Sequence, residues 1–371
     1  MPAPAPRWLA GPRVVLLMLV MGGALAGASV MARRVQGPSP FASQIASLSE
    51  PAGYFDTDNL ISNERSYLQV LPELRQRNVR GGAYLGIGPD QNFTYIAEVR
   101  PSIAFIVDVR RDNLLLHLLC KALFALSRTR VEYLAQLTGR PVPAAIETWR
   151  RAAIDRITGY IDGVAPDPRA IDVLRRRVDA AIAGIGVPLS TQDRDTIDRF
   201  HRRFIADGLS LRFETTGRAP QSYYPTYRDL LRETDATGRQ GSYLASEDAF
   251  EFVKSLEERD LVIPVIGDLS GPSALAAIGR AIDARHERVS AFYVSNVEFY
   301  LFSDGSFPRF VANLGRLPHS ANSVLIRSIF GRYVAPARPG DASTSRLAAV
   351  GELLREHAAG RIRFYGDIAS R

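Results

Sequence analysis

A series of short apolar runs, each followed by a helical pattern, constrains this 371-residue chain more than any other feature. The runs are AYLGIG (83–88), SIAFIVDV (102–109), DLVIPVIGD (260–268), RVSAFYVSN (288–296), SVLIRSI (323–329) and RIRFYGD (361–367). Each is continuously apolar rather than alternating, as expected of strands buried on both faces of a parallel sheet. Helical patterns fill the gaps at 93–99, 112–138, 272–285 and 344–358. A first amphipathic helix begins after Tyr54, places Leu68, Leu71 and Leu74 on one face, and ends at Gly81-Gly82. Strand–helix–strand repeats with right-handed crossovers predict an α/β fold: a doubly wound, mostly parallel, Rossmann-like sheet with helices on both faces.

The rest of the chain is organised around that core. Residues 14–32, VVLLMLVMGGALAGASVMA, carry no charge and are followed by Arg33-Arg34. Residues 1–34 therefore read as a signal peptide, cleaved after Ala24-Leu25-Ala26 or Ala26-Gly27-Ala28, or as an N-terminal membrane anchor. A start of translation at Met31 is the third reading. Residues 35–53, small and Pro- and Ser-containing, read as a linker. The domain proper spans 54–371, with an arginine-rich helical insertion at about 141–241 holding helices near 146–160, 168–183 and 190–207.

The formal charge of +7 raises a nucleic-acid reading, but Lys121 and Lys254 are the only lysines, and the arginines are spread without aromatic interleaving. Nucleic acid is not the expected partner. Cys120 is the only cysteine, so no internal disulfide forms, and its apolar setting reads as a buried thiol. The five histidines show neither HxH nor HExxH spacing, and no metal site is expected. The arginine-rich insertion reads as a cover that selects anionic groups or as a solvated helical face.

Polar residues collect at the strand ends, where open α/β sheets bind ligands. Gly86-Ile87-Gly88 opens a turn ahead of a helix N-terminus; position 91 is glutamine, not the third glycine of a dinucleotide fingerprint, which disfavours NAD. Asp108, about 20 residues on, suits the two hydroxyls of a ribose or a helix cap. Asp268 suits an exocyclic adenine amine or a cap for the helix near Gly271-Pro272.

GGAYLGIGPDQNFTYI and AFIVDVRR resemble motif I and the strand-two acid of class I S-adenosylmethionine-dependent methyltransferases, and VIGDLSG and FYVSNVEFYL match the later strands. The wider string, including DTDNLISNERSYLQVLPEL and LPHSANSVLIRS, is similar to a group of little-characterised bacterial proteins in that superfamily, over 54–134 and 241–329. The resemblance implies S-adenosylmethionine as cofactor. Gly86 and Gly88 would take its methionine half, Asp108 the ribose, Asp268 the adenine end, and Asn296 would face the transferred methyl with Glu298 and Tyr300. Two positions depart from the pattern: Tyr84 replaces the usual acid, and Asp90 the third glycine, close to where the cofactor's carboxylate would lie. Glu298 is the candidate general base and Tyr300 a substrate-orienting group; the plainer reading makes Glu298 a solvated charge and Phe299 and Tyr300 core residues. Asp58, Asn59, Asn63, Glu64 and Tyr67 would line the mouth of the cleft, and Arg327 and Ser328 would bind an acidic group.

The expected function is methyl transfer to a small-molecule or membrane-associated substrate, by a domain that is membrane-associated and faces the cytoplasm, where the cofactor is made. A non-catalytic nucleoside-binding module and an exported scaffold are the other readings. Substrate and oligomeric state are not legible.

Overall fold

The computed structural model describes Met1 and residues 38–218, 220–333 and 341–369. Residues Met1–Gly37 and Pro38–Arg371 form separate units, and the fold is that of the second. The 14–32 segment lies outside the described residues. Among those described, no helix is long and apolar enough to cross a membrane.

The expected strands form at β1 (Ala83–Gly86), β2 (Ile103–Asp108), β3 (Val262–Ile266), β4 (Val289–Ser295) and β5 (His319–Phe330), joined by β6 (Ser343–Ala349). They make one six-stranded sheet in the order β3-β2-β1-β4-β5-β6. All pairs are parallel except β5 with β6. Every residue of β1 and β3 is buried, as continuous apolar runs require. The chain steps outward from β1 to β2 and β3, then returns to β4 on the other side of β1. With right-handed crossovers, that reversal puts the helices before and after β3 on opposite faces. This is a mostly parallel, Rossmann-like α/β sheet.

Helix α1 (Pro40–Leu48) starts with Ser39 capping the Ala42 amide and Pro40 in the first turn, and buries Phe41, Ile45 and Leu48. The expected linker is thus partly structured: after α1, the Glu50 amide donates to the Ile266 carbonyl and Ser49 Oγ accepts from the Ile266 amide, covering the outer edge of β3. The long helix expected from Tyr54 is replaced by an extended stretch, a 3-10 turn (Arg65–Leu68) and α2 (Leu71–Gln76). Leu68, Leu71 and Leu74 are buried as the pattern required. Between β1 and β2 lies α3 (Gln91–Val99).

The helix expected over 112–138 is two helices, α4 (Arg111–Leu126) and α5 (Arg130–Leu137): the backbone turns extended at Ser127, and Thr129 caps the next helix by accepting from the Glu132 amide. Residues 141–241 hold α6 (Ile154–Gly163), α7 (Pro168–Ile185), α8 (Thr191–Asp207) and α9 (Tyr227–Arg232), with isolated bridges but no strand of the sheet. Then come α10 (Glu247–Glu258) before β3, α11 (Ala274–Asp283) after it, and α12 (Val297–Ser303) and α13 (Phe307–Leu314) between β4 and β5.

The C-terminal pattern is corrected twice. Residues 344–349, expected to be helical, belong to β6, and only α14 (Val350–Ala358) is helix; STS at its start favours a ladder with β5. The expected strand 361–367 is a turn leading into α15 (Gly366–Ala369). Asp367 Oδ2 accepts from the Arg363 and Phe364 amides at 2.7 and 3.2 Å, taking donors a ladder would need, and β6 already occupies the free edge of β5.

Candidate functional site

The strand order reverses between β1 and β4, so the crevice beyond their carboxyl ends is where a sheet of this kind binds ligand. The turn after β1 is tied down from within. Asn92, buried in the first turn of α3, donates through Nδ2 to the carbonyls of Ile87, Gly88 and Pro89 and accepts from Tyr84 Oη at 2.8 Å. Gly86 is required because a Cβ there would collide with the Asn92 carboxamide, and Gly88 because its φ is +81°. His117, from α4, bonds the Gly88 carbonyl through Nε2 at 3.0 Å. Burial lowers its pKa to about 4, so it is neutral at physiological pH.

The candidate acids are all engaged by the protein. Asp90 is buried beside a cavity of about 10 Å³, accepting from Tyr227 Oη at 2.7 Å and Tyr243 Oη at 3.1 Å. Burial raises its pKa to about 6 against those two hydrogen bonds. Asp108 stands at the end of β2 as expected, but Arg110 holds it with Nε at 3.1 Å and Nη2 at 3.0 Å, while Arg110 Nη1 reaches the Thr57 carbonyl at 2.9 Å. Asp268 accepts from the amide and hydroxyl of Ser270, a local turn.

At the end of β4, Asn296 precedes α12 without capping it. Glu298 is neither a solvated charge nor an open base. It is 2% exposed and paired with Arg327, whose Nη2 donates to Oε1 at 2.9 Å and whose Nε lies 2.8 Å from Oε2. Burial raises the Glu298 pKa, opposed by Arg327. The anion-binding role expected of Arg327 is thus filled by the chain's own carboxylate. Tyr300 is 40% exposed, with its ring edge-to-face with Phe55 at 5.0 Å, so it is not a core residue.

Residues 49–64 run across the strand ends as a strap. Glu50 caps α11, accepting from the amides of Ser273 at 2.6 Å and Ala274 at 2.7 Å. Its burial works to raise the pKa, but these bonds and that from the Asp268 amide outweigh it and the net shift is downward. The Gly53 amide donates to the Val109 carbonyl, and Asn59 lies over Gly88. Glu64, 1% exposed, accepts from Tyr293 Oη at 2.5 Å and from the hydroxyls of Ser295 and Ser328. Burial raises its pKa. Of the cleft-mouth residues expected from sequence, Asn59 and Glu64 therefore reach the crevice. Ser328 does too, but it serves Glu64, not an external acid.

Sequence reasoning passed over Glu50, Asn92, Arg110, His117, Tyr293 and Ser295. The run Asp-Gln-Asn after Gly88 was the available signal for Asn92; nothing local marks Glu50, whose partners lie more than 200 residues away. Gln91 Oε1, Asn113 Oδ1 and His117 Nδ1 are buried with no hydrogen-bond partner among the described residues. Gln91 and His117 both touch the Gly88 turn, and Asn113 sits one turn before His117 on α4.

A family described as a domain of unknown function, DUF7790, matches residues 59–154 and 201–349. The chain belongs to that family. The DUF7790 match takes in the whole crevice floor, Glu64 and Tyr300, but leaves out Glu50, Phe55 and most of α6–α8. None of the curated proteins matches the chain.

Proposed function

We propose that this DUF7790 protein is a ligand-binding protein that keeps a class I methyltransferase-like fold without using S-adenosylmethionine. The observation that carries ligand binding is a set of three partnerless acceptors: Gln91 Oε1 and His117 Nδ1 at the Gly88 turn beside the strand-order reversal, and Asn113 Oδ1 one turn before His117 on α4. Each costs about 1–3 kcal/mol if left unpaired, a penalty folding alone gives no reason to keep. The residues present do not suit the methyl donor. Asn92 occupies the space beside Gly86, Arg110 holds Asp108, Asp268 closes its own turn, Asp90 turns to Tyr227 and Tyr243, and Arg327 holds Glu298. Asn296 does not cap the helix it precedes, and its side chain is engaged by Tyr300 of that helix and by Ser295, whose hydroxyl donates to Oδ1 at 3.4 Å.

The test is calorimetric titration of the full chain with S-adenosylmethionine and S-adenosylhomocysteine. No micromolar binding of either is expected. Micromolar binding that Asp108→Ala abolishes would overturn the reading and restore methyl transfer. That second reading is favoured by one fact: Arg110 is partly braced by the carbonyls of Thr57 and Asp58, so displacing the strap would loosen its grip on Asp108. Membrane attachment through residues 14–32 is a further proposal. A reporter fused to the C-terminus, active on one side of a membrane only, tells a domain kept in the cytoplasm from an exported one.

A further inference from the structure

We propose that the ligand of this crevice is a cationic amine, its ammonium group received by Glu64 and its apolar part packed against the exposed Phe55–Tyr300 pair. The inference rests on the ligand-binding reading above and names the chemical class. Glu64 is 1% exposed, and no Lys, Arg or His among the described residues pairs with it. Its oxygens meet only hydroxyls, from Tyr293, Ser295 and Ser328. A buried carboxylate is ordinarily matched by a cation, as Glu298 is matched by Arg327 in the same part of the fold.

The neighbouring Gln91 is also short of a donor: its Oε1 is a bare acceptor, and it is joined to Glu64 through Tyr293, donating from Nε2 to Tyr293 Oη at 3.2 Å. His117, whose Nδ1 is bare as well, meets the other side of the Gly88 turn that Gln91 touches. A floor of acceptors with an uncompensated carboxylate is complementary to a group that carries positive charge and several N–H bonds, and repels an anion. Two of the seven described non-glycine residues with positive φ lie at the same place: Ser295, which donates to Glu64, at +52°, and Asn59, over Gly88, at +49°. Such backbone persists where the surroundings impose it, most often at binding sites.

The mouth supplies the second half of the recognition. Phe55 and Tyr300 are 38% and 40% exposed, edge-to-face at 5.0 Å, and Tyr300 leads on to Phe299 at 5.5 Å. Asn296 follows directly on Ser295 at the end of β4, and Tyr300 stands one turn into α12, the helix that leaves the strand end where Ser295 meets Glu64. Aromatic faces beside a carboxylate favour ammonium groups and the rings attached to them.

The experiment compares tyramine with tyrosol, its neutral alcohol analogue, by titration calorimetry on the full chain. Tyramine is expected to bind at least about tenfold more tightly, since one charge-assisted contact is worth that factor or more. Glu64→Gln, with its fold checked by thermal melting, is expected to erase the difference, and Phe55→Ala to weaken both ligands. Equal affinity for the two compounds, or no binding of tyramine up to about 10 mM, overturns the proposal; so does a folded Glu64→Gln protein that keeps the preference. The wild-type comparison stands even if that variant fails to fold. Asp108-dependent binding of S-adenosylmethionine would defeat the earlier reading while leaving the tyramine-to-tyrosol ratio to judge this one.

Discussion

Replacing Glu298 separates a structural ion pair from a catalytic base. Its carboxylate and the Arg327 guanidinium are 2% and 5% exposed in their side chains and meet through two contacts of 2.8 and 2.9 Å. Glu298→Ala would leave Arg327 charged and buried opposite a void. Breaking a buried pair in this way costs about 3–5 kcal/mol. Each kcal/mol moves the midpoint by about 2–4 °C in a domain of about 150–250 residues and by less in a larger one, so the melting temperature should fall by at most roughly 6–20 °C. The double variant Glu298→Ala/Arg327→Met removes the stranded charge and should recover most of the loss, because apolar replacement of a buried pair is often close to neutral. The assay is urea denaturation of wild type, Glu298→Ala, Arg327→Met and the double variant, read as a double-mutant cycle. A single-variant loss below about 1 kcal/mol would refute the structural account. So would a double variant less stable than Glu298→Ala alone.

Three further outcomes are expected. The Asp90 pKa rises to about 6 on folding, so its favourable protonated form is complete below the unfolded value and lost as pH rises through about 6. Asp90→Asn should therefore be more stable at pH 7 by about 2–3 kcal/mol, and a pH series of denaturation midpoints that stays parallel to wild type would contradict this. His117, with its pKa lowered to about 4, acts oppositely, costing stability as pH falls from 6.5 toward that value, while Glu257, raised by burial to about 7, acts in the same direction as Asp90. Asn113→Leu removes a partnerless acceptor and should stabilise the fold by about 1 kcal/mol while weakening ligand; destabilisation on denaturation would mean that Asn113 serves folding. Glu50→Ala uncaps α11, costing about 1 kcal/mol, and should hasten proteolysis near residues 49–57; an unchanged cleavage rate would show that the strap is pinned elsewhere.

The sequence alone determined the layers and the strand ends. Continuous apolar runs at 83–86, 103–108, 262–266 and 289–295 can be satisfied only by burial on both faces, so the parallel sheet and the positions of Gly86, Asp108, Asp268 and Asn296 at its carboxyl edge follow from local pattern. Even there the pattern misread segments whose state is set by neighbours. STSRLAA joins the edge of β5 because an open ladder stood beside it, and RIRFYGD becomes a turn because Asp367 captures its amides. What the strand-end residues do was decided only by tertiary structure. Arg110 is two residues from Asp108 and legible in principle, but Tyr227 and Tyr243 reach Asp90 from more than 130 residues away, Glu50 reaches α11 across more than 220, and Glu64 meets Ser328 across 264. A carboxylate at a strand end has the same sequence whether it faces a ligand, a guanidinium or a ring of hydroxyls. Desolvation and hydrogen-bond partners distinguish these, and both are properties of the folded surroundings rather than of the residue.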